Sequence, residues 1–545
     1  MSVFIGYPSF MAYQMMKGKK GNNDGFPSIP GMIARWSAKG LTNEDMSANP
    51  VWKDLTGNGH DLQMKNFAWK EGSGISDIYP GALVFDGVDD YGICENFPIL
   101  TKEKGYTVVA LRQFLGSRNS FLISNQATGT AFSNGAFVFE RFWDESGAIF
   151  YNFGTPSDQL SLKPYSPFSY LTSKSYNGRA TNTGDAVPSN TLLVGKSIIN
   201  DSNSTNAAIW EICILDHDAT EEELAKIKDY FVKTYPWLFP DQAWTVVGKT
   251  NEDEDRATIA NITGNGNDLV LSNFGFAEGS GYGLYAQNYI SYAITNGAVY
   301  TKTNSSIHVT KSITAGVNFT ESARDVTIPS YRIKVTGIQS GQEMIYRGSN
   351  NTFLTNIPSD GIYVLPAVEN GSNLGFQFVS YTGDCDITIE QIPEYEGYLV
   401  TDGVDDKVQS SSYTMNEDWT IVGDWELLSN VQVNCGIVKA QNVYLYNTAN
   451  GLLISINNPR SLQSFGTKSL HAICSDGRLY DRNWVEYEYT VDQNFEIVKS
   501  SLNIGFNLNN YAQIAFKNLG IYDNQLLSKD ECIKAYNYLQ TLKAK

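Results

Sequence analysis

At 545 residues, with a net charge of −18, 13% aromatics, 47 Gly and only 17 Pro, the chain has room for about three domains and too many aromatics for a disordered polymer. The excess of acid excludes a direct grip on a nucleic-acid backbone, which needs clustered Lys and Arg. Six scattered cysteines with no CxxC pair exclude a zinc ribbon and a dense disulfide framework, and no apolar run approaches the roughly 18 residues of a membrane span.

Residues 1–28 form an apolar, Met- and aromatic-rich leader that ends in the polar KGKKGNNDG. Its basic residues follow the apolar stretch, the reverse of a secretory signal. It reads either as a strand covering the first domain or as a segment that docks on another protein. From 29 to 240 the runs ALVFDGV, YTVVAL, SFLIS, GAFVFERF, TLLVGKSI and AAIWEICIL are β-branched or aromatic and bounded by turn residues, which predicts a β-sandwich. Thr220 and Glu223 then form a T-x-x-E capping box, and Leu224, Ile227 and Phe231 recur at helical spacing, predicting a helix laid on that sandwich.

The chain then repeats itself. Residues 40–74 and 248–281 share 17 identities over 34 aligned positions once one deletion is allowed. FDGVDD at 85–90 returns as TDGVDD at 401–406, and WEICILDHDATEEEL at 210–224 matches KNLGIYDNQLLSKDEC at 517–532. Ser528 and Glu531 repeat the capping box, and Cys532, Tyr536 and Leu539 repeat the stripe. Cys213 aligns with Gly520 and Cys532 with Leu224, so both thiols are expected to be buried and free. The spacing between the first two blocks grows by about 109 residues in the second copy. A second domain over 241–295 and 396–545 is therefore expected to be interrupted by an insert over 296–395. That insert has no Trp and carries alternating runs such as SYRIKVTGI and CDITIEQI, the pattern of an immunoglobulin- or fibronectin-type sandwich.

The repeated blocks are turn chemistry first. The glycines of TGNG at 56–59 supply positive φ for tight turns, and in FDGVDD Gly87 lets the strand bend while Phe85 and Val88 are expected in the core. A second reading is a calcium site, because Asp54, Asp61, Asp86, Asp89 and Asp90 are hard oxygen donors in loops and Ca²⁺ takes roughly six to eight such oxygens. Asp54 becomes Asn261 in the copy, which removes a charge but keeps an oxygen. For sugar binding, Trp36 aligns with Trp244 and Trp69 with Phe276, so these are expected to pack in the core. Trp143, in FERFWDESG, has no counterpart and is expected at a turn as an exposed glycan platform. The chain has no E-x-D-x-x-E strand, and its four histidines stand beside no nucleophile motif. No catalytic or cofactor-binding residue is assigned on this evidence, and the chain is expected not to be an enzyme.

The ordered triplet of a D-x-TGNG block, FDGVDDY and a closing strand leading into a capped helix, met twice, resembles the laminin-G-like, concanavalin-type jelly-roll family. The resemblance implies an all-β fold of two jelly-roll sandwiches, the second with an inserted immunoglobulin-like β-sandwich, and one Ca²⁺ held in the loops. The layout is similar to virion fibre and decoration proteins of tailed, crAss-like phages of gut bacteria. That likeness implies a non-enzymatic head fibre, tail fibre or capsid decoration, assembled in the host cytoplasm, exposed on the particle exterior and adhering to host-surface glycan. It implies attachment to other virion proteins through the N-terminal segment and a homo-oligomer, with a trimer expected for a fibre, and neither nucleic-acid binding nor membrane insertion. Two alternatives stand beside it: a secreted bacterial glycan-binding or glycan-degrading surface protein, and a capsid-stabilising protein that binds no sugar.

Overall fold

The structure is a computed structural model. It describes residues 24–544 except 117–119, 126–136, 145–146, 153–154, 157–165, 182–188, 197–203, 278, 285–298, 303–305, 311–313, 317–325, 349–352, 372–373, 430–434, 441–442, 449–450, 457–462, 466–468, 489–499, 505 and 508–509. Most of the 1–28 leader therefore lies outside the described residues.

The chain is an all-β protein of antiparallel sheets with two long helices. One eight-stranded sheet runs in the spatial order Gly74–Ser76, Ala82–Asp86, Asn206–Leu215, Thr107–Phe114, Phe168–Thr172, Ser175–Tyr176, Arg179–Ala180, with Met32–Ser37 also paired to Asn206–Leu215. Its partner sheet runs Val51–Trp52, Leu62–Lys65, Tyr91–Cys94, Leu192–Val194, Ser120–Asn125, Phe137–Asp144, Gly147–Asn152, Thr155–Pro156. A second pair of eight-stranded sheets follows. The first runs Gly281–Leu284, Glu394–Val400, Gln513–Asp523, Trp419–Ser429, Leu470–Cys474, Arg478–Asp481, Glu486–Glu488, with Gln242–Thr245 on Gln513–Asp523. The other runs Thr258–Ile259, Leu269–Ser272, Lys407–Tyr413, Ser500–Ile504, Cys435–Ala440, Val443–Thr448, Gly451–Ile456, Gln463–Phe465. The two pairs correspond strand for strand. The register agrees as well, with Trp36 opposite Ile212 in one and Trp244 opposite Leu519 in the other.

The central strand Asn206–Leu215 shows why the sandwich has two apolar layers. Ala207, Ile209, Ile212 and Ile214 point into the core between the sheets, whereas Ala208, Trp210, Cys213 and Leu215 point to the outer face. Strict alternation would put 209 and 212 on opposite faces, and a register shift between Ile209 and Glu211 restores the pattern. The outer face is covered by the helix Glu221–Thr234, whose Leu224, Ile227, Tyr230 and Phe231 are buried and whose start is closed by the Thr220–Glu223 capping box. In the second copy the helix Lys529–Gln540, boxed by Ser528 and Glu531, buries Cys532, Ala535, Tyr538 and Leu539, while Tyr536 is half-buried. The two outer layers are continuous with each other through Trp237 and Leu238 of the linking segment and Ala243 and Ile262 of the second sandwich. Tyr522 donates to the Trp237 carbonyl oxygen at 3.0 Å, and Gln113 Nε2 donates to Thr541 Oγ1 at 3.1 Å.

Between Gly281–Leu284 and Glu394–Val400, which pair directly, the chain departs to build a separate unit. A five-stranded sheet (Val299–Lys302, Ser306–Thr310, Asp386–Ile392, Tyr331–Thr336, Gly361–Leu365) packs Ile307, Ile333, Val335 and Ile389 against Met344, Tyr346, Phe376 and Phe378 of a three-stranded sheet. Tyr331–Thr336 alternates buried and exposed positions, as a strand with one face in the core must.

Candidate functional site: the paired acidic turns

The DGVDD segment is a turn that binds its own backbone. Asp86 Oδ1 accepts from Val88 N at 2.7 Å and from Asp89 N at 3.3 Å, and Asp90 Oδ2 accepts from Asp86 N at 3.0 Å. Gly87 sits at φ 77°, where a Cβ would stand 2.9 Å from Asn206 Cβ, so only glycine fits. The second copy is the same device: Asp402 Oδ1 accepts from Val404 N at 2.7 Å and Asp405 N at 3.2 Å, and Asp406 Oδ2 accepts from Asp402 N at 2.7 Å. Asn66 and Asn273, both in left-handed backbone, donate to the Asp89 and Asp405 carbonyl oxygens.

Phe85 is buried as expected, but Val88 is 69% exposed and its counterpart Val404 is 67% exposed, so the expectation of a core Val88 is corrected. The turn places both valines at its tip, where the chain reverses and neither face has a neighbour.

Asp86, Asp89 and Asp90 bring one carboxylate oxygen each within 4.8 Å of one another, and Asp402, Asp405 and Asp406 do the same. Asp90 is fully buried, with the Ser73 hydroxyl as its near neighbour, and in the copy Ser280 Oγ donates to Asp406 Oδ1 at 3.0 Å. Burial pushes both Asp90 and Asp406 up to about 7, and the hydrogen bonds to each carboxylate only partly oppose it. A cation among three such carboxylates would offset that cost, and hard oxygens at this spacing suit Ca²⁺.

Asp54 and Asp61 do not join this group. Asp54 Oδ1 accepts from Arg35 N at 3.1 Å and Thr56 N at 3.0 Å, and its Oδ2 accepts from His60 N at 3.1 Å. Asp61 Oδ1 accepts from Asp54 N at 2.9 Å, and its Oδ2 takes Lys53 Nζ at 2.6 Å. Both hold protein donors and fall outside the 4.8 Å cluster, so the five aspartates form a cation-sized trio and a separate turn-holding pair. Asn261 explains how the copy dispenses with the charge. Its Oδ1 accepts from Ala243 N and Thr263 N at 3.2 Å each, while its amide donates to Gln242 Oε1 and the Gly266 carbonyl oxygen.

Trp143 lies within the strand Phe137–Asp144, near its end, and its side chain lies outside the described residues. Sequence reasoning named no residues for the second trio, although the DGVDD shared by 86–90 and 402–406 was the signal for it. It also missed a cleft of about 310 Å³ at the rim of the first sandwich, lined by Asn58, His60, Ile99, Lys104 and Asp216. His60 meets Phe97 edge-on there, with ring centroids 5.2 Å apart, and Asn267 stands in its place in the copy.

No protein family matches the chain, and no curated protein does. Among solved structures it is similar to Trypanosoma rangeli sialidase, at 12% identity and a TM-score of 0.24, over 38% of this chain and 34% of that one. The same enzyme in complex with sialic acid gives 12% identity and a TM-score of 0.25. The chain thus spans about a third of the length of the sialidases it matches. A botulinum neurotoxin type C structure, described in terms of interaction with two ganglioside molecules, matches at 10% identity and a TM-score of 0.23, over 64% of this chain and 98% of that one. At TM-scores this low the likeness carries no activity, ligand or partner over to this chain. The expectation that the chain is not an enzyme is withdrawn: sialidases stand among the matches, and activity is neither assigned to this chain nor excluded from it. The physical reason is that the missing E-x-D-x-x-E strand excludes one carboxylate arrangement and not glycan chemistry as a whole.

Proposed function

We propose that the chain is a virion protein of a tailed phage, a head or tail fibre or capsid decoration, that displays two lectin-like sandwiches for adhesion to host-surface glycan. The observation that carries this reading is the repetition of one acidic turn at one topological position of two matching sandwiches. A recognition surface presented twice raises apparent affinity without any new contact. The laminin-G-like resemblance of the sequence supports the same reading. In it, Ca²⁺ held by Asp86, Asp89 and Asp90, and again by Asp402, Asp405 and Asp406, stiffens the rim loops, and sugar meets each sandwich at its rim, in the first at the His60–Lys104 cleft. The N-terminal segment joins the chain to other virion proteins, and a homo-oligomer, a trimer in a fibre, multiplies the sites on the particle exterior.

The test is a bacterial-polysaccharide array probed with the full chain in calcium and in EDTA. Binding in calcium that weakens at least tenfold in EDTA, and again in the Asp86→Asn/Asp402→Asn and His60→Ala variants, is the expected result. Silence on every glycan in both buffers ends the adhesion reading, and absence of the chain from mass spectra of purified phage particles ends the virion reading.

A further inference from the structure

Two cysteines meet across the contact between the second helix and its sheet. Cys474 ends the strand Leu470–Cys474, opposite Thr420, and Cys532 lies in the first turns of Lys529–Gln540. Both side chains are fully buried. Thr420 links them: its Oγ1 stands 3.9 Å from Cys474 Sγ and accepts from Leu527 N at 3.0 Å, while the Leu527 carbonyl oxygen stands 3.9 Å from Cys532 Sγ. The two thiols also act on each other electrostatically across this link.

The first sandwich has the same scaffold without the sulfurs. Thr107 Oγ1 accepts from Ala219 N at 2.7 Å and donates to the His217 carbonyl oxygen at 2.8 Å, as Thr420 does with Leu527 and Gln525. At the two flanking positions stand Thr172, which is opposite Thr107, and Leu224. One copy has thus placed two thiols side by side at a joint that closes without them.

We propose that Cys474 and Cys532 form an intramolecular disulfide when the protein meets a peroxide, and that this bond staples the second helix to its sheet. The Cys474 thiolate attacks one oxygen of hydrogen peroxide, giving a sulfenic acid and releasing hydroxide. The Cys532 sulfur then attacks the Cys474 sulfur, and the departing hydroxyl takes up the Cys532 proton as water. Two thiols and one peroxide become one disulfide and two waters. Cys474 is taken as the first nucleophile because the neighbouring Cys532 holds its thiol below the ordinary range, whereas Cys474 and burial push the Cys532 thiol up. Full burial calls for a small neutral oxidant, which peroxide is.

The full chain is treated with dilute hydrogen peroxide, quenched, alkylated in denaturant and digested. The expected product is a peptide joining Cys474 to Cys532, lost on dithiothreitol treatment. Amide exchange over 529–540 slows at least tenfold in the oxidised protein. Cys474→Thr and Cys532→Leu install the residues of the first copy and are expected to fold, to abolish the linked peptide and to leave exchange unchanged by peroxide. Recovery of both cysteines alkylated, of either one joined to a different cysteine, or of Cys474 as a sulfinic acid overturns the proposal.

Discussion

In the first sandwich Arg35 lies under the helix with Nε 3.0 Å from Glu211, Nη1 2.6 Å from Asp24 and Nη2 2.8 Å from the Tyr230 hydroxyl, while Tyr235 donates to Glu211 at 2.8 Å. In the second, the same register positions hold Ala243, opposite Gly520, and Asn518. The inner cores differ in the same way. Arg112 grips Glu140 with two bonds of 2.7 and 2.6 Å and Tyr176 adds a third of 2.6 Å, whereas Trp425 fills the matching position opposite Phe516. One strand order therefore accepts buried ions or uncharged groups at equivalent places. Buried ion pairs cost desolvation that their attraction barely recovers, so exchange for packed apolar residues leaves a fold intact while loss of a single partner does not. The architecture rests on the shared apolar layers, and the ions are a local choice of the first copy.

The largest expected effect tests that statement directly. Arg35→Ala leaves Glu211 buried and unpaired and is expected to cost about 3–5 kcal/mol in urea denaturation. Arg35→Ala with Glu211→Asn installs the pair of the second copy and is expected to regain most of the loss; a double variant as weak as the single one breaks the equivalence.

The next effect concerns what the copies share. Asp90 and Asp406 are held up to about 7, so between about pH 4 and pH 7 the folded protein keeps protons that the unfolded chain has released. Their contribution to stability is present in acid and is lost as pH rises to about 7. Asp90→Asn/Asp406→Asn mimics the protonated form, so it is expected to exceed the wild type in thermal midpoint above pH 7 and to match it near pH 4. Millimolar calcium at pH 7.5 is expected to close that gap from the wild-type side, and a gap that calcium leaves unchanged argues against cation binding at these turns. The smallest effect compares the helix starts. Thr220→Ala and Ser528→Ala each remove one side of a capping box and are expected to cost about 1 kcal/mol, equally in the two copies. Unequal losses in a chemical-denaturation series show that the helices are anchored differently.

How much of this was legible in the sequence follows from the range of each interaction. The all-β class was legible because runs such as YRIKVT carry the two-residue period themselves, and the capping boxes were legible because four consecutive residues complete them. The short helix Asn43–Ala48, capped by Thr42, has the same kind of local signal and was passed over inside the repeat. Val88 was misplaced because exposure at a turn tip depends on where the hairpin points. The five aspartates looked alike because the donors that separate them, such as the backbone N–H of Arg35 19 residues before Asp54, are set by the fold. The Arg35–Glu211 pair joins residues 176 apart and left no mark in any local pattern.

Trp237 and its neighbours bind the outer layers of both sandwiches into one apolar body, so the two rims are held at a set separation and not on a tether. Under the proposed adhesion, such a protein would measure as well as grip: a polymer whose repeat length spans the two rims would engage both together, and one of the wrong pitch would meet only one.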